Sequence, residues 1–499
     1  MHQIQRGQFA NLELIASGRL ASQTHQMKAP VCFVLACFAA NLALSNLGTA
    51  EANKVWPQFR GPNASGVADP GSPPVTFGPE TNLAWKTSVP AGLSSPCIWE
   101  NHIFLSAYQD GALQTLCLSR STGKLLWQQR IQFEHIEVKH RANHPASPTP
   151  ATDGTVVCVY FPAIGLVTYD FTGFELWRRV LPVPVNPYGA AASPAMLDGR
   201  LILNCEDDST NSCLLALNPG TGNELWRVNR RGVSSTYSTP ILWQHNGQAD
   251  LMHASSLQLM AFDPRTGQPR WFIGGLEWMS QVATPVLGDG LLFVTSRSNA
   301  DDKENDFAAT LTSLDANRDG RLATAELPEI YGRWIFTIDR DGNGFITAAE
   351  WEPYYSSMKR SDYGLMAVRP GGEGDLTDTH IAWKQKKGIP QVPSPLYYRG
   401  RVYMVNDGGR VSCFEAQTGK VRYQQERLGA EGEYFSSPVA ASGRIYFGSN
   451  RGTVTVIEAG DELRVLARNE LGESMIATPA IVENSLYLRT GSHLWAFHD

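Results

Sequence analysis

From about residue 80 onward the chain alternates short apolar runs with Gly-, Asp- and Asn-bearing turns. LILNC (201–205), LLFVTS (291–296) and CLLALNP (213–219) are typical of these runs. Continuous apolar stretches of strand length, bounded by turn formers, read as strands buried on both faces. The runs recur in a fixed order behind a Ser-Pro or Thr-Pro pair. The pairs begin at Ser95, Ser147, Ser193, Thr239, Thr284, Ser394, Ser437 and Thr478, with gaps of 52, 46, 46, 45, 110, 43 and 41 residues. Behind each pair come a strand, a turn such as Asp153-Gly154, Asp198-Gly199 or Asp289-Gly290, and two further strands. A Thr-Gly turn follows (Thr122-Gly123, Thr221-Gly222, Thr266-Gly267, Thr418-Gly419), then a closing strand that holds Trp127, Trp177, Trp226, Trp271 or Trp383. Four short antiparallel strands repeated in this way make a propeller blade, because each unit buries its faces only against its neighbours.

The pattern also predicts how the ring closes. The last unit, ATPAIVENSLYLRTGSHLWAF, ends after three strands, whereas Asn82-Leu83-Ala84-Trp85-Lys86 is a closing strand with no unit before it. Donating that strand to the last blade removes an open sheet edge. The expected fold is all-β: an eight-bladed β-propeller with a small α-helical EF-hand insertion. Its expected segments are 1–52 (targeting), 53–297 (propeller, first part), 298–362 (insertion) and 363–499 (propeller, second part).

The long gap carries the sharpest chemical signal. Asp315, Asn317, Asp319, Gly320, Arg321 and Glu326 occupy positions 1, 3, 5, 6, 7 and 12 of one calcium loop. Asp339, Asp341, Asn343, Gly344, Phe345 and Glu350 do the same in a second. Oxygens at 1, 3 and 5 converge on the ion, Gly at 6 makes the sharp turn, the carbonyl at 7 points inward and Glu at 12 clamps with both oxygens. Two calcium ions are therefore expected, with Arg321 and Phe345 contributing backbone carbonyls. Leu327, Ile330, Tyr331, Trp334, Ile335 and Ile338 fall at helical spacing between the loops, as do Trp351, Tyr354, Tyr355 and Met358 after them. The loop starts lie 24 residues apart, a compact spacing that resembles dockerin-type calcium repeats. Residues 298–362 hold 13 acidic and 7 basic side chains. The rest holds 35 of each sign, so the insertion carries the whole formal charge of −6.

No global basic field exists to draw nucleic acid. The N-terminus reads as an address. Met27-Lys28 precedes an apolar run from Val31 to Leu44, and Ala50-Glu51-Ala52 fits an A-x-A cleavage site. A mature chain starting near Ala52, in the periplasm, cell envelope or outside the cell, follows, with no integral membrane span. The true start (Met1 or Met27), and lipid-anchored versus soluble, stay open. Cys205 and Cys213 flank EDDSTNS and can bridge a hairpin in an oxidising compartment; the sequence leaves that pairing open.

The A-x-D-G, strand, strand, L-x-x-T-G-x-x-x-W pattern resembles the pyrroloquinoline-quinone-type repeat. Quinoprotein alcohol dehydrogenases share it with the BamB-like scaffold lipoproteins of outer-membrane assembly. The resemblance covers roughly 80–297 and 363–499, and WPQFRGPNASGV is similar to the opening of secreted propellers of this group. It implies one of two functions. In the dehydrogenases a quinone sits over a tryptophan platform with a funnel calcium, an aspartate base and often a vicinal Cys-Cys pair, which this chain lacks. The favoured expectation is a non-catalytic, calcium-binding scaffold for a protein or polymer ligand at the propeller face. A PQQ-dependent dehydrogenase is the alternative. Segments just before the Ser/Thr-Pro pairs are expected to line one mouth of the funnel, which gives His144, Tyr188, Tyr237, Trp278, Gln281, Tyr434 and Met475 as candidate contacts or, alternatively, as loop packing. His135, His140 and His144 are also close enough in sequence for a metal cluster.

Overall fold

The structure, a computed structural model, describes residues 54–133, 140, 142–276, 281–297, 306–327, 338–339, 341–360 and 363–499. The expected targeting segment, Trp278, His135 and most of the helix expected between the calcium loops lie outside the described residues.

Eight four-stranded antiparallel units form an eight-bladed propeller. Blade 1 comprises Cys97–Trp99, His102–Gln109, Ala112–Ser119 and Leu125–Gln132; Val55–Trp56 adds to its inner edge. Blade 5 is built from Val286–Gly288, Leu291–Ser296, Gly364–Val368 and Ile381–Gln385, so the insertion leaves between its second and third strands. Blade 8 joins Ala480–Val482, Ser485–Arg489 and His493–Phe497 to Leu83–Ser88, with Trp85 opposite Ala496 and Lys86 opposite Trp495. The N-terminal strand thus completes the last blade, as the stranded tryptophan predicted.

The tryptophan motif has a packing reason. Each indole lies against the glycine of the next blade's Thr-Gly turn. A Cβ at Gly123, Gly173, Gly222, Gly267 or Gly419 would come within 2.5–2.8 Å of Trp85, Trp127, Trp177, Trp226 or Trp383. All five glycines also hold positive φ, so glycine is required twice over. The indole N–H donates to a carbonyl of the same turn: Arg120, Phe171, Pro219, Pro264 or Ala416, at 2.8–3.0 Å. Trp271 departs from the rule because blade 5 replaces the short turn with a longer connection. Its N–H donates instead to Asp250 Oδ2 at 2.9 Å within its own blade.

The Ser/Thr-Pro pairs also have a common job. Around the channel, the N–H of one pair's first residue donates to the hydroxyl of the next: Thr239 to Thr284, Thr284 to Ser394, Ser394 to Ser437, Ser437 to Thr478 and Thr478 to Ser95, all at 3.0–3.1 Å. In blade 2 the structural marker is Thr149, which accepts from Ser95 N–H and donates through its own N–H to Ser193. This corrects the sequence assignment to Ser147 by two residues. The segment SPTP contains two such pairs, and only the contact around the ring distinguishes them.

Residues 55–68 run across one end of the channel. Pro57 O accepts from Thr152 N–H, Gln58 Oε1 from Met196 N–H and Asn63 Oδ1 from Leu242 N–H, while Arg60 Nη2 donates to Pro395 O at 2.8 Å. Asn63 Nδ2 returns a bond to Leu242 O. Ala440 exchanges bonds with Gly66 and Ala68. Inner-strand polar groups of six blades are thereby satisfied by one buried segment. No helix among the described residues is long and apolar enough to cross a membrane.

Candidate functional site

The channel left open above this floor is a cavity of about 490 Å³. Phe59 from the floor segment, the hydroxyl belt and the loops before it line the cavity. Among the candidate mouth residues Tyr188, Tyr237 and Tyr434 face it, together with His140, Asn143, Arg297, Asn406, Asp407, Glu433 and Phe435. Tyr188 is 46% exposed and meets the His140 ring edge-on at 5.4 Å. The Tyr237 hydroxyl donates to Asn186 Oδ1 and that of Tyr434 to Ala430 O, which fixes both rings. Asp407 accepts from Tyr434 N–H at 2.8 Å, and Glu433 accepts from Asn450 Nδ2 at 3.0 Å.

The other described candidates are placed elsewhere. Gln281 is buried and donates to Ala283 O and Thr295 O, and Met475 is buried against Gly448. His144 Nδ1 accepts from Ala146 N–H at 3.2 Å, and its ring meets Tyr108 edge-on. Burial, with Arg489 nearby as a lesser cause, lowers its pKa to about 4. His140 Nδ1 likewise accepts a backbone N–H, from Ala142. Spacing before the Ser/Thr-Pro pair identifies the loop but not which way its side chain turns. Glu433 and Phe435 lie just before the Ser437 marker, whereas Arg297 and Asp407 follow the second strands of blades 5 and 6, away from any marker; the four face the cavity with no further sequence signal.

The insertion brings its loops together through a two-strand pairing in which Leu322 faces Ile346, both at position 8. Within each loop the position-1 carboxylate accepts backbone N–H groups. Asp315 takes those of Arg318, Asp319 and Gly320; Asp339 takes those of Gly342, Asn343 and Gly344. Glu326 accepts from Ala316, Asn317 and Ala323, and Glu350 from Asp341 and Thr347. Gly320 and Gly344 hold φ of 79° and 86°. In the second loop, ligand atoms of Asp339, Asp341 and Glu350 lie within 4.8 Å of one another, the one group of its kind among the described residues. In the first, Arg321 Nη2 holds Asp319 Oδ2 at 3.2 Å. Asn317 and Asn343 carbonyl oxygens accept from Asp319 and Phe345 N–H. The Arg321 guanidinium also lies 4.2 Å over the Phe345 ring and so ties the two loops to each other.

Sequence reading missed a helix, Phe307–Leu314, ahead of the first loop. Its signals are Asp306, whose side chain caps Ala309 N–H, and the i, i+4, i+7 spacing of Phe307, Leu311 and Leu314. These three pack on Leu322, Ile338, Ile346 and Trp351. Leu257 of blade 4 joins the same cluster, and Arg231 lies against Gly342, so the insertion rests on the propeller.

The family described as outer membrane protein assembly factor BamB matches residues 109–335 and 274–499, most of the chain. This chain belongs to that family. Among solved structures, BamB from Moraxella catarrhalis is similar at 12% identity, over 84% of this chain and 99% of that one, with a TM-score of 0.52. Quinohemoprotein alcohol dehydrogenase from Comamonas testosteroni is similar at 11% identity, over 90% of this chain and 81% of that one, at 0.49. No curated protein matches the sequence. The BamB-family propeller is thus defined by its fold; its activity has to be argued from its own side chains.

Proposed function

We propose that this BamB-family propeller is a non-catalytic binding protein of the cell envelope or the secreted space. In this reading it holds a protein or polymer segment at the channel mouth and two calcium ions in an EF-hand insertion. The observation that carries the binding reading is the mouth itself: a cavity closed at its floor by 55–68, with Tyr188 exposed beside His140 and with Tyr237 and Tyr434 buried in its wall. An exposed tyrosine ring together with amide and carboxylate groups around the lining suits an extended ligand with both apolar and hydrogen-bonding parts. The family description, an assembly factor, supports a protein ligand.

Pyrroloquinoline quinone, the cofactor of the alternative reading, is a planar tricarboxylate. Among the described lining residues it would meet one guanidinium, Arg297, and two carboxylates, Asp407 and Glu433. The charges do not fit, and no step is derived through this group. Titrating the protein with the quinone and calcium, and looking for a bound chromophore with dye-linked alcohol oxidation, would reverse the assignment. For the favoured reading, a photo-crosslinking residue at Tyr188 should capture a discrete envelope protein or polymer in cells, whereas the same residue at exposed Val421 on blade 6's outer strand should not. Equal yields at the two positions would sink it.

The calcium reading rests on the two loops' matched hydrogen bonds and on the Asp339, Asp341 and Glu350 cluster. Asp315, Asn317, Asp319, the Arg321 carbonyl and Glu326 would hold one ion. Asp339, Asp341, Asn343, the Phe345 carbonyl and Glu350 would hold the other, with water supplied at Ala323 and oriented by Thr347. Calorimetry should show two sites in the wild type and none in the Glu326→Gln, Glu350→Gln double variant. No heat at millimolar calcium would refute them.

A further inference from the structure

We propose that Cys205 and Cys213 form a redox-controlled cross-strand disulfide that staples the hairpin carrying Glu206, Asp207 and Asp208. The two cysteines are directly opposite in the antiparallel pair Arg200–Cys205 and Cys213–Leu217, so their side chains share one face. The neighbouring bond from Arg230 N–H to Ser212 O turns Cys213's own backbone groups toward Cys205, which makes this a hydrogen-bonded pair. Such pairs hold their Cα atoms about 5.5 Å apart, inside the roughly 4.4–6.8 Å that a disulfide spans. Both are thiols here and in contact with each other.

The surroundings equip the pair to react. Arg227 Nη1 donates to Cys213 Sγ at 3.0 Å, an arrangement that favours thiolate on Cys213. Cys205 is only partly buried and offers the approach from solvent. The other four described cysteines are buried, and burial pushes their thiols upward, to about 12 for Cys117, Cys158 and Cys413. Within the pair the contact between the sulfurs raises the Cys205 thiol, with burial adding to it, and lowers that of Cys213, so Cys213 is the thiolate and Cys205 its proton donor. The reaction needs a disulfide oxidant, for which glutathione disulfide is the probe. Cys205 passes its proton to the Cys213 thiolate it touches, and the Cys205 thiolate so formed attacks one glutathione sulfur and releases the first glutathione as thiolate, which takes the proton from Cys213. The Cys213 thiolate beside Arg227 then attacks Cys205 sulfur and displaces the second glutathione as thiolate, which is protonated by buffer.

The consequence reaches the cavity wall. Asp207 Oδ2 accepts from Val185 N–H at 3.0 Å, Asp208 N–H donates to Val185 O at 2.8 Å, and Asp208 Oδ1 accepts from Ser235 N–H at 2.7 Å. Those two segments lead into Tyr188 and Tyr237. Closing the hairpin base therefore restrains one side of the mouth. The inference stands whether or not the mouth binds a polymer.

The test incubates the reduced full chain, still folded, with glutathione disulfide, then denatures and alkylates it for peptide mass mapping. A loss of two hydrogens located to a Cys205–Cys213 cross-link is expected, with an unfolding midpoint a few degrees higher that dithiothreitol reverses. Cys205→Ser should leave Cys213 alkylatable and abolish the midpoint shift. Arg227→Gln should slow closure about threefold at neutral pH, and raising the pH should recover the rate. Full alkylation, a cross-link between other cysteines, arrest at the glutathione adduct, or closure only in denaturant would each overturn the proposal.

Discussion

At the scale of single residues, burial decides roles that residue type leaves open. His144 has the chemistry of a ligand or a base, yet the fold turns its Nδ1 onto Ala146 N–H and lowers its pKa to about 4 from 6.5. The unfolded chain therefore binds a proton between about pH 6.5 and 4 that the folded chain does not, so stability rises with pH across that window. The contribution, about 3 kcal/mol if the whole shift is expressed, is present above pH 6.5 and is lost on acidification toward pH 4. His144→Gln, which keeps an acceptor for Ala146, should flatten that part of a urea-midpoint-against-pH curve. An unchanged acid limb would show that other groups dominate. Arg489 is the second case: fully buried, it donates to Ser94 O, Ser106 O and Pro90 O and so ties blade 8 to blade 1. Arg489→Met leaves three carbonyls without that donor and should cost about 2–4 kcal/mol in a denaturation series. Neither role is written in the sequence: Arg489 meets carbonyls that blade 1 brings to it, and His144 is buried by packing that includes Tyr108 of blade 1.

At the scale of the blade, the turn glycine and the tryptophan act as one device. The strand bearing Trp85 closes the ring by pairing with His493–Phe497, and its indole docks on blade 1 at Gly123. Trp85→Ala should lose about 3–5 kcal/mol, while Trp85→Phe should lose nearer 1 kcal/mol for the bond to Arg120 O. Gly419→Ala meets both a φ of 69° and a Cβ position 2.5 Å from Trp383. The two costs together should amount to about 2–4 kcal/mol, measured by chemical denaturation, whereas Gly290→Ala, with open space around it, should lose only the positive-φ cost of about 1 kcal/mol.

At the scale of the molecule, the insertion and the ring have different sources of stability. The ring rests on eight mutually packed apolar sheets. The insertion rests on a small cluster around Leu322, Ile346 and Trp351, with its acidic loops nearby. If the calcium reading holds, each ion present at one hundred times its dissociation constant adds about 2.7 kcal/mol to the insertion. Chelation should then expose residues 306–360 to protease while the propeller's unfolding midpoint stays where it was. Leu257→Asp, which removes the blade 4 side of the cluster, should mimic part of that loss with calcium present. A single transition that shifts as a whole on chelation would instead show that docking at Leu257 and Arg231 couples the two.

Blade number, ring closure and the two acidic loops were legible because each is a local pattern repeated: Ser/Thr-Pro, Thr-Gly-x-x-x-Trp, and D-x-N-x-D-G or D-x-D-x-N-G with its Glu. Repetition works as a sequence signal because every blade solves the same packing problem against an identical kind of neighbour. The helix before the first loop was legible too, from its Asp306 cap and the spacing of Phe307, Leu311 and Leu314, although sequence reading missed it. Three features were decided only by the tertiary structure: Thr149 over Ser147 as the blade 2 marker, the floor made by 55–68, and the set of side chains that turn into the cavity. Each depends on contacts between residues distant in sequence. Arg60 meets Pro395 and Asn63 meets Leu242 only once the ring exists. The orientation of Tyr237 or His144 follows from the neighbour that satisfies its polar atoms, Asn186 or Ala146, a choice the repeat pattern does not encode.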